Sequence, residues 1–214
     1  MRLNFNEFII IDKKAVETII NNRREEGKLL NGIIKNRSTL STIESELINF
    51  YTMGVEMISV RSNGIDGKLN EIINIYFESK MLYLYKKGSF RIKISLNEKN
   101  KVYYENHKTF IIVGIWDSQK NVLAATLVGK MSLLKDDYIS KRDDLLNKEI
   151  VSVSMDVNIS KLINRGFKVY AVNYSPEEVY EIIKEKSDSY LTSLFTSSDI
   201  KRIEEFDTNF YFES

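Results

Sequence analysis

The chain has 214 residues, 43% of them hydrophobic and 29% charged, and its formal net charge of +1 lacks the basic excess that a nonspecific nucleic-acid-binding protein usually carries. This length and composition predict one folded domain over residues 1–214, without a need for disulfides or structural metals. The absence of cysteine and the presence of a single histidine, His107, exclude disulfides, thiolate metal sites and sites built from several histidines, so any metal site must use carboxylates.

The first apolar stretch, residues 8–11, is too short to form the core of a signal peptide. No later stretch approaches the roughly 18–20 apolar residues that a membrane-spanning helix needs. We therefore expect a cytoplasmic protein that has no membrane partner.

A helical head is predicted over residues 1–36, and a further helix after it. Asp12 is placed to cap a helix over residues 13–26, which Gly27 would end. Ser41, followed three residues later by Glu44, forms a capping box at the start of the next helix. Gly54 would end that helix, and Glu44 would lie on its polar side.

The middle of the chain, residues 41–174, is predicted to form a sheet core. Runs of β-branched and aromatic residues predict strands at 55–61, 70–80, 81–87, 89–95, 109–116, 121–129, 149–157 and 167–174. Two pairs of these strands are close enough in sequence to form hairpins, namely 81–87 with 89–95 and 109–116 with 121–129. Between the later strands, a polar helix is expected near 135–147 and a short one over 159–165.

The tail, residues 175–214, is predicted to be helical. Ser175, Pro176 and the two glutamates after them have the order of an N-cap, a first-turn proline and first-turn acids. A last helix is expected over 199–205. Helices before, between and after the strands predict a mixed α/β fold, in which a central mixed β-sheet is flanked by helices.

The stretch from Gly64 to Lys80 carries the candidate chemistry. On a strand over 70–80, Glu78 and Lys80 project from the same face because side chains alternate. Asp66 lies in a glycine-flanked turn that would return the chain and place it beside Glu78. Two carboxylates bind Mg²⁺, which activates a water on a phosphodiester, and a lysine orients that water and balances the anionic transition state.

A helix, a strand, a glycine-flanked aspartate and an apolar strand ending in Glu78-Ser79-Lys80 resemble the core of the PD-(D/E)XK nuclease superfamily, which includes type II restriction endonucleases. The resemblance covers roughly residues 41 to 129. It implies a restriction-endonuclease-like core with Asp66 and Glu78 as metal ligands and Lys80 as the catalytic lysine. It also implies Glu44 as an auxiliary acidic residue. The chain departs from the pattern at Ile65, where the family name has proline.

These residues lead us to expect a Mg²⁺-dependent endonuclease that hydrolyses double-stranded DNA. The resemblance alone implies a restriction or mobile-element defence setting. A homodimer is expected, because cutting both strands of a symmetric site calls for two symmetric active sites. The alternative is a non-catalytic protein on a nuclease-like fold that binds nucleic acid or protein, such as an inhibitor, an immunity protein or a regulatory subunit.

A helical interpretation of the critical segment stays open at this point. The apolar residues between 69 and 77 also match the spacing of an amphipathic helix. On a helix, Glu78 and Lys80 would lie about 200° apart and could not share one site. The β-branched and aromatic character of the segment favours the strand.

Some further residues have a weaker functional interpretation. Cations that could contact DNA phosphates surround the predicted hairpin at Lys86, Lys87, Arg91 and Lys93. Alternating charge is, however, also typical of the solvated face of an antiparallel hairpin. His107 is expected to be an exposed or capping residue, and Asp117 a turn residue at the end of a central strand.

Overall fold

The computed structural model describes residues 14, 17–22, 25, 42–57, 66–68, 75–97, 101–105, 108–147, 152–187 and 197–205. Among these residues, the α-helices with defined bounds, α1 to α5, are Thr42–Thr52, Lys101–Glu105, Lys135–Asn147, Ile159–Asn164 and Pro176–Lys186. The strands, β1 to β9, are Glu56–Met57, Gly67–Lys68, Tyr76–Tyr83, Arg91–Leu96, Thr109–Asp117, Val122–Lys130, Val153–Asn158, Lys168–Ala171 and Ile203–Glu205. Two 3-10 segments are Met131–Leu134 and Ser197–Arg202.

Within these residues, seven strands form one mixed sheet in the order β1-β2-β3-β5-β6-β8-β9. Strands β3 and β5 are parallel, as are β8 and β9, and the other neighbours in this sheet are antiparallel. Strands β4 and β7 pair with each other in a separate antiparallel ribbon. The predicted fold class, a mixed α/β protein with a central mixed sheet flanked by helices, is confirmed.

Strand β5 is the centre of the sheet, because all nine of its residues are buried. Burial on both faces explains its nearly continuous apolar sequence, which lacks the alternation of a half-exposed strand. It continues into β6 through a tight turn, in which Asn121 has a left-handed backbone with φ 54°. Asparagine tolerates that conformation better than most residues. The predicted hairpin of 109–116 with 121–129 is thus confirmed.

The two faces of β5 contact different helices. On one face, Phe110 and Ile112 belong to the same apolar cluster as Phe50 of α1. On the other face, the cluster contains Ile111 together with buried residues of α4 and α5, such as Ile183. Helices therefore cover both faces of the sheet, and α1 covers the face that includes Phe77 of β3.

Several predicted helices are present. The described residues between 14 and 25 are helical, and α1 ends just before Gly54, whose φ of 64° suits a glycine after a helix. Its predicted cap, Ser41, lies outside the described residues. Helix α3 has the predicted bounds, and α5 begins with the predicted Ser175 cap in a complete capping box. No helix in the described part of the chain is long and apolar enough to cross a membrane.

The predicted hairpin of 81–87 with 89–95 is wrong. Strand β3 is one strand that ends at Tyr83, a turn follows, and β4 pairs with β7 instead of with β3. The alternation of β4 was a correct sign of a half-exposed strand, but alternation alone does not specify the partner. The helical alternative for residues 69–77 is also wrong where it can be seen, since Tyr76 and Phe77 belong to β3.

The predicted last helix over 199–205 is wrong as well. A 3-10 segment occupies Ser197–Arg202, and Ile203–Glu205 forms β9, which pairs in parallel with β8. The tail is therefore helical only in part. Pairing with the edge of the sheet and burial of Ile203 outweigh the weak helical preference of this short segment.

Candidate active site

Strand β3 places Glu78 and Lys80 on one face, as predicted from alternation. The Lys80 ammonium pairs with Glu78 Oε1, and their side chains are 26% and 12% exposed. The residues between and beside them, Phe77 and Ser79, face the opposite side and contact α1. The extended backbone is therefore what lets the two charged groups meet.

Asp66 lies beside this pair because its main chain and side chain both bond to β3. Its N–H donates to the carbonyl oxygen of Phe77 at 2.8 Å, and its Oδ2 accepts from the N–H of Ser79 at 2.8 Å. Strand β2 pairs with Tyr76 and Phe77 only. The pairing of β2 with β3 ends at Phe77, and the Asp66 carboxylate accepts the N–H of Ser79, two residues further along β3.

Gly67 allows α1 to approach the strand that follows Asp66. A Cβ atom on Gly67 would lie 2.8 Å from Cζ of Phe50, closer than side chains pack. The Phe50 ring also contacts the Phe77 ring edge-on, with centroids 6.4 Å apart. The glycine after Asp66, which the sequence suggested was only a turn residue, is therefore a packing requirement of the site.

Asn49 of α1 holds β3 from the other face. Its fully buried side chain donates from Nδ2 to Ser79 Oγ and to the carbonyl oxygen of Lys80, both at 2.9 Å. Ser79 is thereby bonded through its N–H to Asp66 and through its hydroxyl to Asn49. This contact could not be predicted from the sequence, because an asparagine inside a helix carries no pattern of its own.

Glu46 of α1 is the acidic residue that joins the site. Burial first, and then the charge of Asp66, raise the pKa of Glu46 to about 7, against the opposing effect of Lys80. It precedes Phe50 by one helical turn and so shares its side of the helix, a signal that could have identified it. Glu44 lies two residues earlier, about 200° around the helix, and its auxiliary role stays a prediction.

The surroundings of Glu78 disfavour its negative charge. Burial is the largest cause, followed by the charge of Asp66, and together they raise the pKa of Glu78 to about 7 although Lys80 opposes them. Burial also raises the pKa of Asp66, against the Ser79 N–H and Lys80. Within the described residues, Glu78 Oε2 is buried and has no hydrogen-bond partner. Such a set of carboxylates is stabilised in its ionised form by a cation.

The donor atoms fit a hard divalent cation held by few protein ligands. In the described ranges, no three His, Cys, Asp or Glu side chains form a metal-binding group. Mg²⁺ does not require one, because it keeps several waters and is commonly held by one or two carboxylates together with substrate phosphates. Asp66 and Glu78 supply those carboxylates, and the unpartnered Glu78 Oε2 is an oxygen that such an ion would bond.

The other predicted contacts lie outside this cluster. Lys86 and Lys87 are exposed in the turn after β3, and Arg91 and Lys93 are on the exposed face of β4 in the separate ribbon. His107 lies outside the described residues. Asp117 is a turn residue as predicted, since its Oδ1 accepts the N–H groups of two residues of the β5–β6 turn.

No protein-family model matches this sequence, and no curated protein matches it. The likeness to the PD-(D/E)XK superfamily therefore stays a prediction from the residues quoted above. What can be said of the function depends on the geometry around Asp66, Glu78 and Lys80.

Proposed function

We propose that the chain is a Mg²⁺-dependent endonuclease that hydrolyses phosphodiester bonds of double-stranded DNA. One observation carries the proposal. Asp66 accepts a hydrogen bond from the N–H of Ser79, the residue between Glu78 and Lys80, and the side chains of Glu78 and Lys80 pair on one face of the strand. Two carboxylates and an ammonium group around one short stretch of strand are the groups that metal-assisted hydrolysis of a phosphodiester needs.

Each residue has a separate task in this reaction. Asp66 and Glu78 would hold Mg²⁺, which when bound activates a water and stabilises charge on the phosphorus. The Lys80 ammonium orients the attacking water and balances the negative charge of the transition state. Glu46, whose pKa is about 7, is suited to accept a proton from that water at neutral pH.

The resemblance implies a type II restriction enzyme as the biological setting. A homodimer follows from the same proposal, because two strands of a symmetric site require two equivalent sites. Sedimentation of the protein with and without a DNA duplex measures the assembly state.

The proposal is tested by cleavage of supercoiled plasmid in Mg²⁺ and in EDTA. We expect Mg²⁺-dependent cutting, and we expect Asp66→Asn or Lys80→Ala to slow it by about 10²–10³-fold, as losses of transition-state stabilisation do. Asp143→Asn, at an exposed position of α3, is the matched control and should cut normally. If the Asp66 or Lys80 variant keeps the parental rate, the proposed site is not the active site.

A second candidate is a non-catalytic protein that binds nucleic acid or another protein. One observation favours it: Lys80 already pairs with Glu78. The same assay separates the candidates, because DNA binding without any Mg²⁺-dependent cutting would support the second one.

A further inference from the structure

Three segments meet at one end of the sheet around a single buried carboxylate, that of Asp117. Its Oδ1 accepts the N–H groups of Gln119 and Lys120 in the β5–β6 turn, at 2.7 and 2.9 Å. Its Oδ2 accepts the hydroxyl of Tyr174, which follows β8, and the hydroxyl of Tyr85, which follows β3, the latter at 3.5 Å. One fully buried side chain thus ties together three loops.

The hydroxyls of Tyr85 and Tyr174 stay protonated and therefore remain hydrogen-bond donors to Asp117 at neutral pH. Burial, and then Asp117, raise the pKa of both Tyr85 and Tyr174, so both stay protonated well above neutral pH. The loops are therefore held in place by the fold before any ligand arrives. Preorganised loops lose less conformational entropy on binding and so bind more tightly.

The outward side of these loops is basic and aromatic. Tyr85 is 48% exposed, and Lys86, Lys87 and Lys120 are exposed around it. The Lys120 ammonium lies 4.3 Å from the centre of the Tyr174 ring. We call Tyr85, Lys86, Lys87 and Lys120 the three-loop surface.

Besides Asp117, Glu178 acts on Tyr174, and it contributes least to the raised pKa of that residue. Its carboxylate accepts the N–H of Ser175 at 2.8 Å in the capping box of α5. Glu178 therefore serves the helix cap, whereas Lys86, Lys87 and Lys120 are exposed to an anion on this surface.

The position of the surface is also informative. It lies at the carboxyl ends of β3 and β5, which are parallel neighbours, and open α/β sheets commonly bind ligands at such an end. Lys80 is on β3, and Tyr85 follows the end of that strand five residues later, which is at most about 17 Å of extended chain. A polyanion that reaches Lys80 can therefore reach the three-loop surface as well.

We propose that the three-loop surface binds the backbone of a nucleic-acid strand next to the phosphodiester at the site, with the lysines on phosphates and the Tyr85 ring against a sugar or base. This inference rests on the proposed function, and it adds the surface that holds the substrate. Cations spread over separate loops suit a chain of phosphates better than one compact anion. An exposed aromatic ring beside them suits the ring faces of nucleotides.

Binding is measured in EDTA, so that no cleavage occurs, by fluorescence anisotropy of a labelled duplex and of a single strand of the same sequence. We expect Lys86→Ala/Lys87→Ala/Lys120→Ala to bind more weakly and to flatten the slope of log K against log salt by roughly 0.7–0.9 per lost phosphate contact. If the wild-type protein binds the duplex more tightly than the single strand, the surface holds double-stranded nucleic acid; the reverse order assigns it to a single strand.

The matched control is Lys135→Ala/Lys168→Ala/Lys201→Ala, which removes equal charge from exposed positions at the other end of the sheet strands. It should keep the wild-type slope. Equal weakening in both triple variants would mean that charge alone, anywhere on the protein, drives binding. That result, or wild-type affinity in the first triple variant, overturns the inference.

Asp117→Asn gives a test in which two explanations predict opposite signs. Removing a negative charge should tighten DNA binding if only the net field matters. The inference predicts weaker binding instead, because the amide lacks the charge that strengthens the hydrogen bonds to the hydroxyls of Tyr85 and Tyr174, so that both tyrosines are held less firmly. Should this variant fail to fold, Tyr85→Ala at a half-exposed position replaces it, with an expected loss of about fivefold or more in affinity.

Failure of the inference can be told apart from failure of the proposed function. If the wild-type protein binds DNA through this surface but never cuts in Mg²⁺, the nuclease proposal is wrong and the inference stands. If the protein cuts, and the triple variant at the three-loop surface binds and cuts like wild type, the inference is wrong and the nuclease proposal stands.

Discussion

Glu78 has a negative neighbour, Asp66, and a positive one, Lys80, and burial is the largest influence on its pKa. Lys80 stabilises its ionised form, whereas Asp66 and the low polarity of the surroundings disfavour it more strongly. The result is a carboxyl group whose protonation changes near neutral pH instead of near its ordinary value of 4.5. Perturbed carboxyl groups of this kind are frequent at catalytic and metal-binding sites.

This shift makes the stability of the metal-free protein dependent on pH. The pKa of Glu78 is about 7 in the folded state and near 4.5 when unfolded, so between these values the folded state binds the proton that the unfolded state has released. Stability contributed by this group is thus present at low pH and falls as pH rises towards 7. Mg²⁺ binds the deprotonated carboxylates, so the rise in Tm that it causes should grow between about pH 6 and pH 8.

Thermal unfolding with and without Mg²⁺ across that range measures the effect. Glu78→Gln should abolish most of the Mg²⁺-dependent increase, whereas Asp143→Asn should leave it unchanged. An increase that is equally large at all pH values would contradict a metal site built on Glu78.

Among the elements, α1 and β3 position the residues of the site. Both elements could be predicted from the sequence, but the contacts between them could not. Alternation and β-branched residues were enough to place Glu78 and Lys80 on one face, and buried apolar runs were enough to identify β5 and β6. The pairing of β4 with β7 and the roles of Glu46 and Asn49 were not predictable in this way. They depend on which elements meet in space, and periodicity within one element carries no information about its partner.

The contact between α1 and β3 gives a prediction at this scale. Asn49→Ala should lower the free energy of unfolding by about 1–3 kcal/mol, because the Ser79 hydroxyl and the Lys80 carbonyl lose their buried donor. Denaturant unfolding measures the change. Thr52→Ala on the same helix is the control, since its hydroxyl donates to the Ile48 carbonyl within the helix. Equal losses in the two variants would show that Asn49 contributes no more than an ordinary helix residue.

At the scale of the molecule, the main sheet joins distant parts of the chain. Strand β3 is paired with β5, and β8 with β9, although in both cases other elements lie between them in sequence. Strand β9 is the shortest strand of these two pairs. Its Ile203 is part of the largest apolar cluster of the described residues, to which Val169 and Ile183 also belong. Three residues near the end of the chain thus complete a core that is formed mostly by residues far before them.

Ile203 provides the prediction for the whole molecule. Ile203→Ala should destabilise the protein by about 2–5 kcal/mol, the usual cost of truncating a buried isoleucine. Calorimetry or denaturant unfolding measures this cost, and Lys201→Ala, at an exposed neighbouring position, should cost little. A change near zero for Ile203→Ala would mean that β9 contributes nothing to the cooperative core.

The late position of β9 has a consequence for synthesis on the ribosome. Because β9 is the last of the described elements in chain order, β8 can gain its parallel partner only after all the other described elements have been synthesised. Until then, β8 keeps one unpaired edge, and the place that Ile203 takes in the core is unfilled. A nascent chain that stalls before Ile203 would therefore expose this strand edge to chaperones, whereas a chain in which β9 has paired with β8 would not.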